Sequence, residues 1–303
     1  MTDPLAPRTE DVIHLGALTA MSIGIPEVAV ALIDGPVARD HPDLATTGIQ
    51  ELPGSSATCS RSDSLACMHG TFIAGILHAR RGSAAPAICP GCTLVIRPVF
   101  ADTTPADGGS GDLPAAQPGE LARAIIATID AGVRIINLSV ALTEPSPNVE
   151  PELQAALDHA ARRAVIVVAA AGNQGTVGSS AITRHPWVIP AVACDRHGRL
   201  MRLSNLASSI GRRGLAAPGE AVASLRAAGG TTTMSGTSIA APFISGAIAL
   251  LWSIFPNAGA ADIHRAISEG ASRNRRSVAP PLLNAAAAYQ ALAQQHRSWR
   301  RTG

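Results

Sequence analysis

Asp34, His69 and Ser238 are three residues whose types suit them to make a nucleophile together. A serine hydroxyl attacks a carbonyl carbon only when a base takes its proton, and an imidazole does this near neutral pH. A buried carboxylate then fixes the ring's tautomer and stabilises the imidazolium that forms. Asn173, in "AAAGNQG", adds an amide that can donate to the oxyanion of a tetrahedral intermediate, alongside the backbone N–H of Ser238. Loss of one such donor removes about 3–4 kcal/mol of transition-state stabilisation. The chemistry implied is acyl transfer through a covalent serine intermediate.

Each of these residues stands where an apolar segment ends or begins. Asp34 closes "VAVALID", His69 opens "HGTFIAGIL", and Ser238 opens "SIAAPFISGAIALL". Around Ser238 the chain is crowded with small residues. Gly236 leaves room for a substrate backbone, Ala240 and Ala241 let the first helical turn pack closely, and Pro242 lacks an N–H where a first turn tolerates its loss. A helix N-terminus also favours developing negative charge.

The segments that must hold these residues read as alternating strands and helices. Val28–Asp34, Cys92–Phe100, Val133–Ala141, Ala164–Asn173 and Trp187–Cys194 are short apolar runs, as expected of strands buried on both faces. Helical patterns start at His69, in "PGELARAIIATIDAG" and "EPELQAALDHAARRA", and in the apolar segment after Ser238. The alternation predicts an α/β fold with a mostly parallel central sheet and helices on both faces. Two Pro/Gly-rich stretches, 101–119 and 142–151, follow strands at their C-terminal ends, the edge where open α/β sheets bind ligands.

Composition excludes several alternatives. The 303 residues are 47% hydrophobic and 15% charged, enough to bury a large core, and with 3% aromatics that core is aliphatic. A net charge of +2 argues against nucleic acid as the main partner. Every positive side chain is arginine, so Walker-lysine, Schiff-base and Ser-Lys chemistries are absent. Five cysteines do not make a secreted disulfide framework, and "CPGC" at Cys89–Cys92 lacks the further ligands of a zinc site. A disulfide between Cys59 and Cys67 would brace the loop before His69; Cys89 and Cys92 either bridge or stay reduced. No signal peptide is legible at the N-terminus and no run reads as a membrane span, so a cytoplasmic protein is expected.

Taken in order, "ALIDGPV", "RDHPDL", "HGTFIAGIL", "INLSVAL", "AAAGN", "MSGTSIAAPFISGAIALL" and "LLNAAAAY" resemble the motif set of subtilisin-like serine proteases, the subtilase family. The order Asp, His, Ser is also that of subtilisin. The resemblance runs from about Val28 to Tyr289 and implies a single-domain, three-layer fold. It assigns Asp34, His69 and Ser238 to the triad, Asn173 to the oxyanion hole, and Ser139, Val140 and Ala141 to an edge that pairs with a substrate backbone. Asp43 matches a position that often ligates calcium in the family, but its partner ligands are not legible, so no metal site is assigned and no cofactor is required. Val140, Ala141 and Leu142 replace the glycines many members carry there, which alters the wall of the primary specificity pocket.

"DGPV", "CPGC" and the lack of a signal are similar to the cyanobactin-maturation subtilases, which cut or cyclise ribosomal precursor peptides in the cytoplasm. No inhibitory prodomain is legible. The segment between Asp34 and His69 has no room for the helical insertion of the cyclising members, which favours cleavage. The expected organisation is a helical extension over 1–24, a catalytic domain over 25–293 and a basic tail over 294–303. The expected activity is that of a serine endopeptidase on a peptide or unfolded polypeptide, including a modified precursor. The rival readings are a peptide macrocyclase or transpeptidase with the same triad, and a catalytically silent peptide-binding module.

Overall fold

A computed structural model describes residues 9–45, 47–53, 59–100, 116–140, 150–270 and 277–302. Seven parallel strands form the central sheet: β1 (Ala29–Asp34), β2 (Ile49–Glu51), β3 (Thr93–Pro98), β4 (Ile135–Leu138), β5 (Ile166–Ala170), β6 (Val188–Cys194) and β7 (Leu215–Pro218). Their spatial order is β2-β3-β1-β4-β5-β6-β7. The order reverses at β1, so the crevice beyond the C-terminal ends of β1 and β4 is a topological switch point. A separate antiparallel hairpin joins β8 (Val222–Leu225) to β9 (Thr231–Met234).

Each of the five apolar runs contains a strand. The observed strands are shorter by one to three residues at one or both ends. Four strands escaped the sequence reading for want of a long apolar run. β2 is three residues of "IQE", β7 is masked by alanines and a proline, β8 is the short "VASL", and β9 is a polar "TTTM".

Helices cover both faces. On one lie α1 (Gly16–Met21), α2 (Leu65–His78) and α7 (Thr237–Ile254), packed with α8 (Ala260–Glu269) and α9 (Ala285–Thr302) over Val30, Leu32, Ile135 and Val168. On the other, α3 (Pro118–Asp130) and α4 (Pro151–Arg162) cover Ala31, Ile33, Ile136 and Val167. Two short helices, α5 (Ala181–Arg184) and α6 (Ser208–Arg213), flank β6. Strand residues of alternate parity thus feed two apolar layers, as a pleat requires.

α7 is the spine of the first layer, with every residue from Ile239 to Trp252 buried. Contrary to the expectation from sequence, it is long and apolar enough to cross a membrane by length and composition, but it spends that apolar surface inside the fold. The 1–24 segment contributes Ile13, Leu15 and Leu18 to the same core, and α9 continues across position 294 without a break. The loop-like stretches 101–119 and 142–151 fall mostly outside the described residues; the last residues of each open α3 and α4.

Candidate active site

Asp34 is the last residue of β1 and is fully buried. The chain then turns directly across the first turns of α2. A methyl group on Gly35 would collide with the carbonyl of Ala66, and one on Gly70 with the carbonyls of Gly35 and Pro36. Only glycine at both positions permits this approach. The Ala38 N–H donates to the buried Thr71 hydroxyl at 2.9 Å, which ties the same loop to the helix one turn further on.

α2 begins earlier than the sequence suggested. His69 does not open it but is its fifth residue, because Ser64 caps the helix by accepting from the Cys67 N–H at 3.1 Å. Cys67, in that first turn, is disulfide-bonded to Cys59. Cys89 and Cys92 remain buried thiols. Burial, then Asp195 and Glu220, push the Cys194 thiol up to about 12.

The structure brings Asp34, His69 and Ser238 together. His69 Nδ1–H donates to Asp34 Oδ1 at 2.7 Å, and the Ser238 hydroxyl donates to His69 Nε2 at 3.0 Å. Because a carboxylate only accepts, the ring proton sits on Nδ1 and Nε2 is the free base. Asp34 Oδ1 also accepts the Gly35 N–H at 2.6 Å, which fixes the carboxylate plane. The His69 side chain is 12% exposed and Asp34 not at all, so the imidazole alone links the buried charge to the cleft.

Ser238 is the second residue of α7, so its N–H has no carbonyl one turn below to bond within the helix. Gly236, the N-cap, has φ +150°, a conformation that favours glycine. A methyl group there would lie 3.1 Å from Asn173 Nδ2 and 3.6 Å from Ser238 Oγ. The space beside Gly236 is therefore bounded by the Asn173 amide, the Ser238 hydroxyl and a residue with no side chain.

Asn173 follows β5 and is exposed at the cleft. Its orientation is set by Thr237, which donates to Asn173 Oδ1 from both its N–H and its hydroxyl, each at 2.9 Å. The Thr237 hydroxyl in turn accepts the Gly172 N–H at 3.1 Å. With Oδ1 committed to Thr237, Nδ2 is left as the donor on the Gly236 side. Thr237, Gly35, Gly70 and Ser64 hold this arrangement in place, a part the sequence reading did not give them. Their signal lay only in small or hydroxyl residues flanking the reactive ones.

Ser139 and Val140 lie just past the end of β4, with both side chains buried. Ala141 lies outside the described residues. Asp43 has its N–H bonded to His41 Nδ1 and its carbonyl to the Arg80 N–H. Among the described residues no group of three or more His, Cys, Asp or Glu is placed to hold a metal ion.

The model of the subtilase family matches residues 26–295. The chain belongs to that family. This subtilase is 29% identical over 231 residues to subtilisin amylosacchariticus of Bacillus subtilis subsp. amylosacchariticus, a match covering 76% of the chain and 56% of that relative's length. Among solved structures it resembles the protease domain of PatA, with a TM-score of 0.81 at 31% identity, covering 90% of this chain and 97% of that one. It also resembles the prenylagaramide maturation protease PagA, with a TM-score of 0.80 at 27% identity, covering 92% and 98%.

Proposed function

We propose that this subtilase is a serine endopeptidase that cleaves an extended peptide, and that its substrate is the leader region of a ribosomal precursor peptide. The observation that carries the hydrolytic part is the continuous pair of hydrogen bonds from Asp34 through His69 to Ser238. The precursor-peptide part is supported by the likeness to a maturation protease at 27% identity over almost the whole of both chains.

In this reading Ser238 Oγ attacks the scissile carbonyl carbon while His69 Nε2 takes the hydroxyl proton. The negatively charged Asp34 stabilises the imidazolium so formed. The Asn173 Nδ2 amide and the Ser238 N–H receive the oxyanion. His69 returns its proton to the leaving amine, and water, activated by the same imidazole, releases the acyl group. The main chain of residues 139–141 pairs with the substrate backbone. Base, nucleophile and oxyanion donors all come from the chain, so the reaction needs no cofactor. Calcium at Asp43 is not part of the proposal. The cytoplasm is the proposed compartment.

The test is mass mapping of products from a peptide library, alongside labelling by a fluorophosphonate. Wild-type protein is expected to label once, at Ser238, and to yield fragments whose summed mass exceeds that of the peptide by one water for each bond cut. Ser238→Ala is expected to lose labelling and to lower kcat by a factor on the order of 10⁶. Products lacking the gain of water would point to a cyclase or transpeptidase. An unlabelled wild type with no products would leave the peptide-binding module.

A further inference from the structure

The carbonyl of Ser238 is an orphan within its own helix. It should accept from the N–H of the residue four positions on, but that residue is Pro242, which has none. The fold supplies a substitute from just past the end of β4: the Ser139 hydroxyl donates to the Ser238 carbonyl at 3.1 Å. Ser139 has one hydroxyl proton, so its oxygen must accept from elsewhere, and Asn137 Nδ2 donates to it at 2.6 Å. The Asn137 amide is oriented in turn by Ser245, whose hydroxyl donates to Asn137 Oδ1 at 2.9 Å.

All three side chains are buried, at 2%, 0% and 0% exposure for Ser139, Asn137 and Ser245. Asn137 lies in register with Leu32 of β1 and Val168 of β5, both in the apolar layer under α7. A polar trio placed there is unfavourable unless every member is satisfied, so its presence needs a reason. Ser245 lies seven residues after Ser238, two turns along the same face of α7. The end of β4 therefore grips α7 at two heights, once at the nucleophile's carbonyl and once two turns below.

We propose that Ser245, Asn137 and Ser139 are positioning residues that act in series: they hold the first turn of α7, and with it the Ser238 hydroxyl, at hydrogen-bonding distance from His69. The proton order runs one way, from the Ser245 hydroxyl to the Asn137 carbonyl oxygen, from the Asn137 amide to Ser139, and from Ser139 to the Ser238 carbonyl. Without Ser245 the Asn137 amide is free to turn over, and Ser139 loses the donor that aims its own proton. This inference rests on Ser238 being the nucleophile.

The experiment is a double-mutant cycle of Ser139→Ala and Ser245→Ala in the full chain. It reads the fluorophosphonate labelling rate, kcat and KM on a cleaved peptide, and the unfolding midpoint of each variant. A small phosphonate does not use the extended substrate edge, so its rate reports on the hydroxyl. Each single variant is expected to label and turn over about five- to tenfold more slowly with KM within about twofold. The double variant is expected to be no slower than Ser139→Ala alone, because Ser245 acts through Ser139. Additive losses, or a lowered unfolding midpoint with an unchanged labelling rate, would overturn the proposal. Should Ser245→Ala fail to fold, Ser139→Ala, outside the helix and the strand, must still show the loss in labelling without a matching rise in KM. A wild type that is not labelled removes the function reading and this inference together, whereas a labelled wild type with unaffected variants removes this inference alone.

Discussion

A single methyl group at position 236 would stand against both the Asn173 amide and the Ser238 hydroxyl, in the space proposed above to receive the oxyanion. Asn173→Ala is expected to lower kcat by about 10²–10³ with little change in KM, since its donor is felt only once the oxyanion forms. Gly236→Ala is expected to lower kcat at least as far. Both variants should also lower the unfolding midpoint: Asn173→Ala loses the two hydrogen bonds that Asn173 accepts from Thr237, and alanine at the φ of position 236 is strained by about 1–3 kcal/mol. Steady-state kinetics and thermal melts on the two variants check these outcomes, and full activity in Gly236→Ala would refute the oxyanion geometry. At this scale the residues with reactive side chains were legible in the sequence, because their chemistry is written in their type. Thr237, which aims Asn173, was not, because a threonine hydroxyl at a helix start has many ordinary uses.

The elements that carry the site are pinned where they begin. α2 enters with Ser64 capping its first turn and Cys67 tethered to Cys59, two residues before His69. Closing so short a loop is expected to stabilise the folded chain by about 2–3 kcal/mol. Cys59→Ser should therefore lower the unfolding free energy by that amount, read as a lower denaturant midpoint, and a reducing agent should do the same to wild type but leave the variant unchanged. Equal midpoints for wild type and variant under oxidising conditions would show that the tether contributes nothing. The helix periodicity was legible from His69 onward. The true start was not, since the preceding turn, "SLAC", carries no long apolar stripe and is fixed by a cap and a crosslink. β2, β7, β8 and β9 escaped for a similar reason: their pairing comes from neighbours in space, not from a run of branched residues in the chain.

Over the whole molecule, stability should respond to acid in two separate windows. His78, the last residue of α2, is buried and donates from Nε2 to the Thr47 carbonyl. Burial lowers its pKa from 6.5, only partly opposed by hydrogen bonds to the backbone of Thr47 and Cys89. As pH falls below 6.5 the unfolded chain takes up this proton before the folded one, so stability is lost through that window. Asp195 responds later. Its desolvation raises the pKa, but hydrogen bonds from the Arg199 N–H and side chain and from the His197 N–H outweigh it and hold the carboxyl at about 2. Its contribution, full above 3.8, fades only as pH drops toward 2. His78→Gln is expected to flatten the melting temperature just below pH 6.5 and leave the lower window intact; an unchanged profile would sink the assignment.

The layer order of the molecule was legible as alternating strand and helix patterns. That the order reverses beside Asp34, and so gathers three chain-distant groups at one edge, emerges only once the strands are paired. α7 adds a consequence of its own. The hydroxyl proposed to be acylated rides on the same rod around which one whole apolar layer condenses. Loosening that layer and displacing the Ser238 hydroxyl are therefore one event, and partial melting is expected to abolish labelling at Ser238 before the chain is fully unfolded.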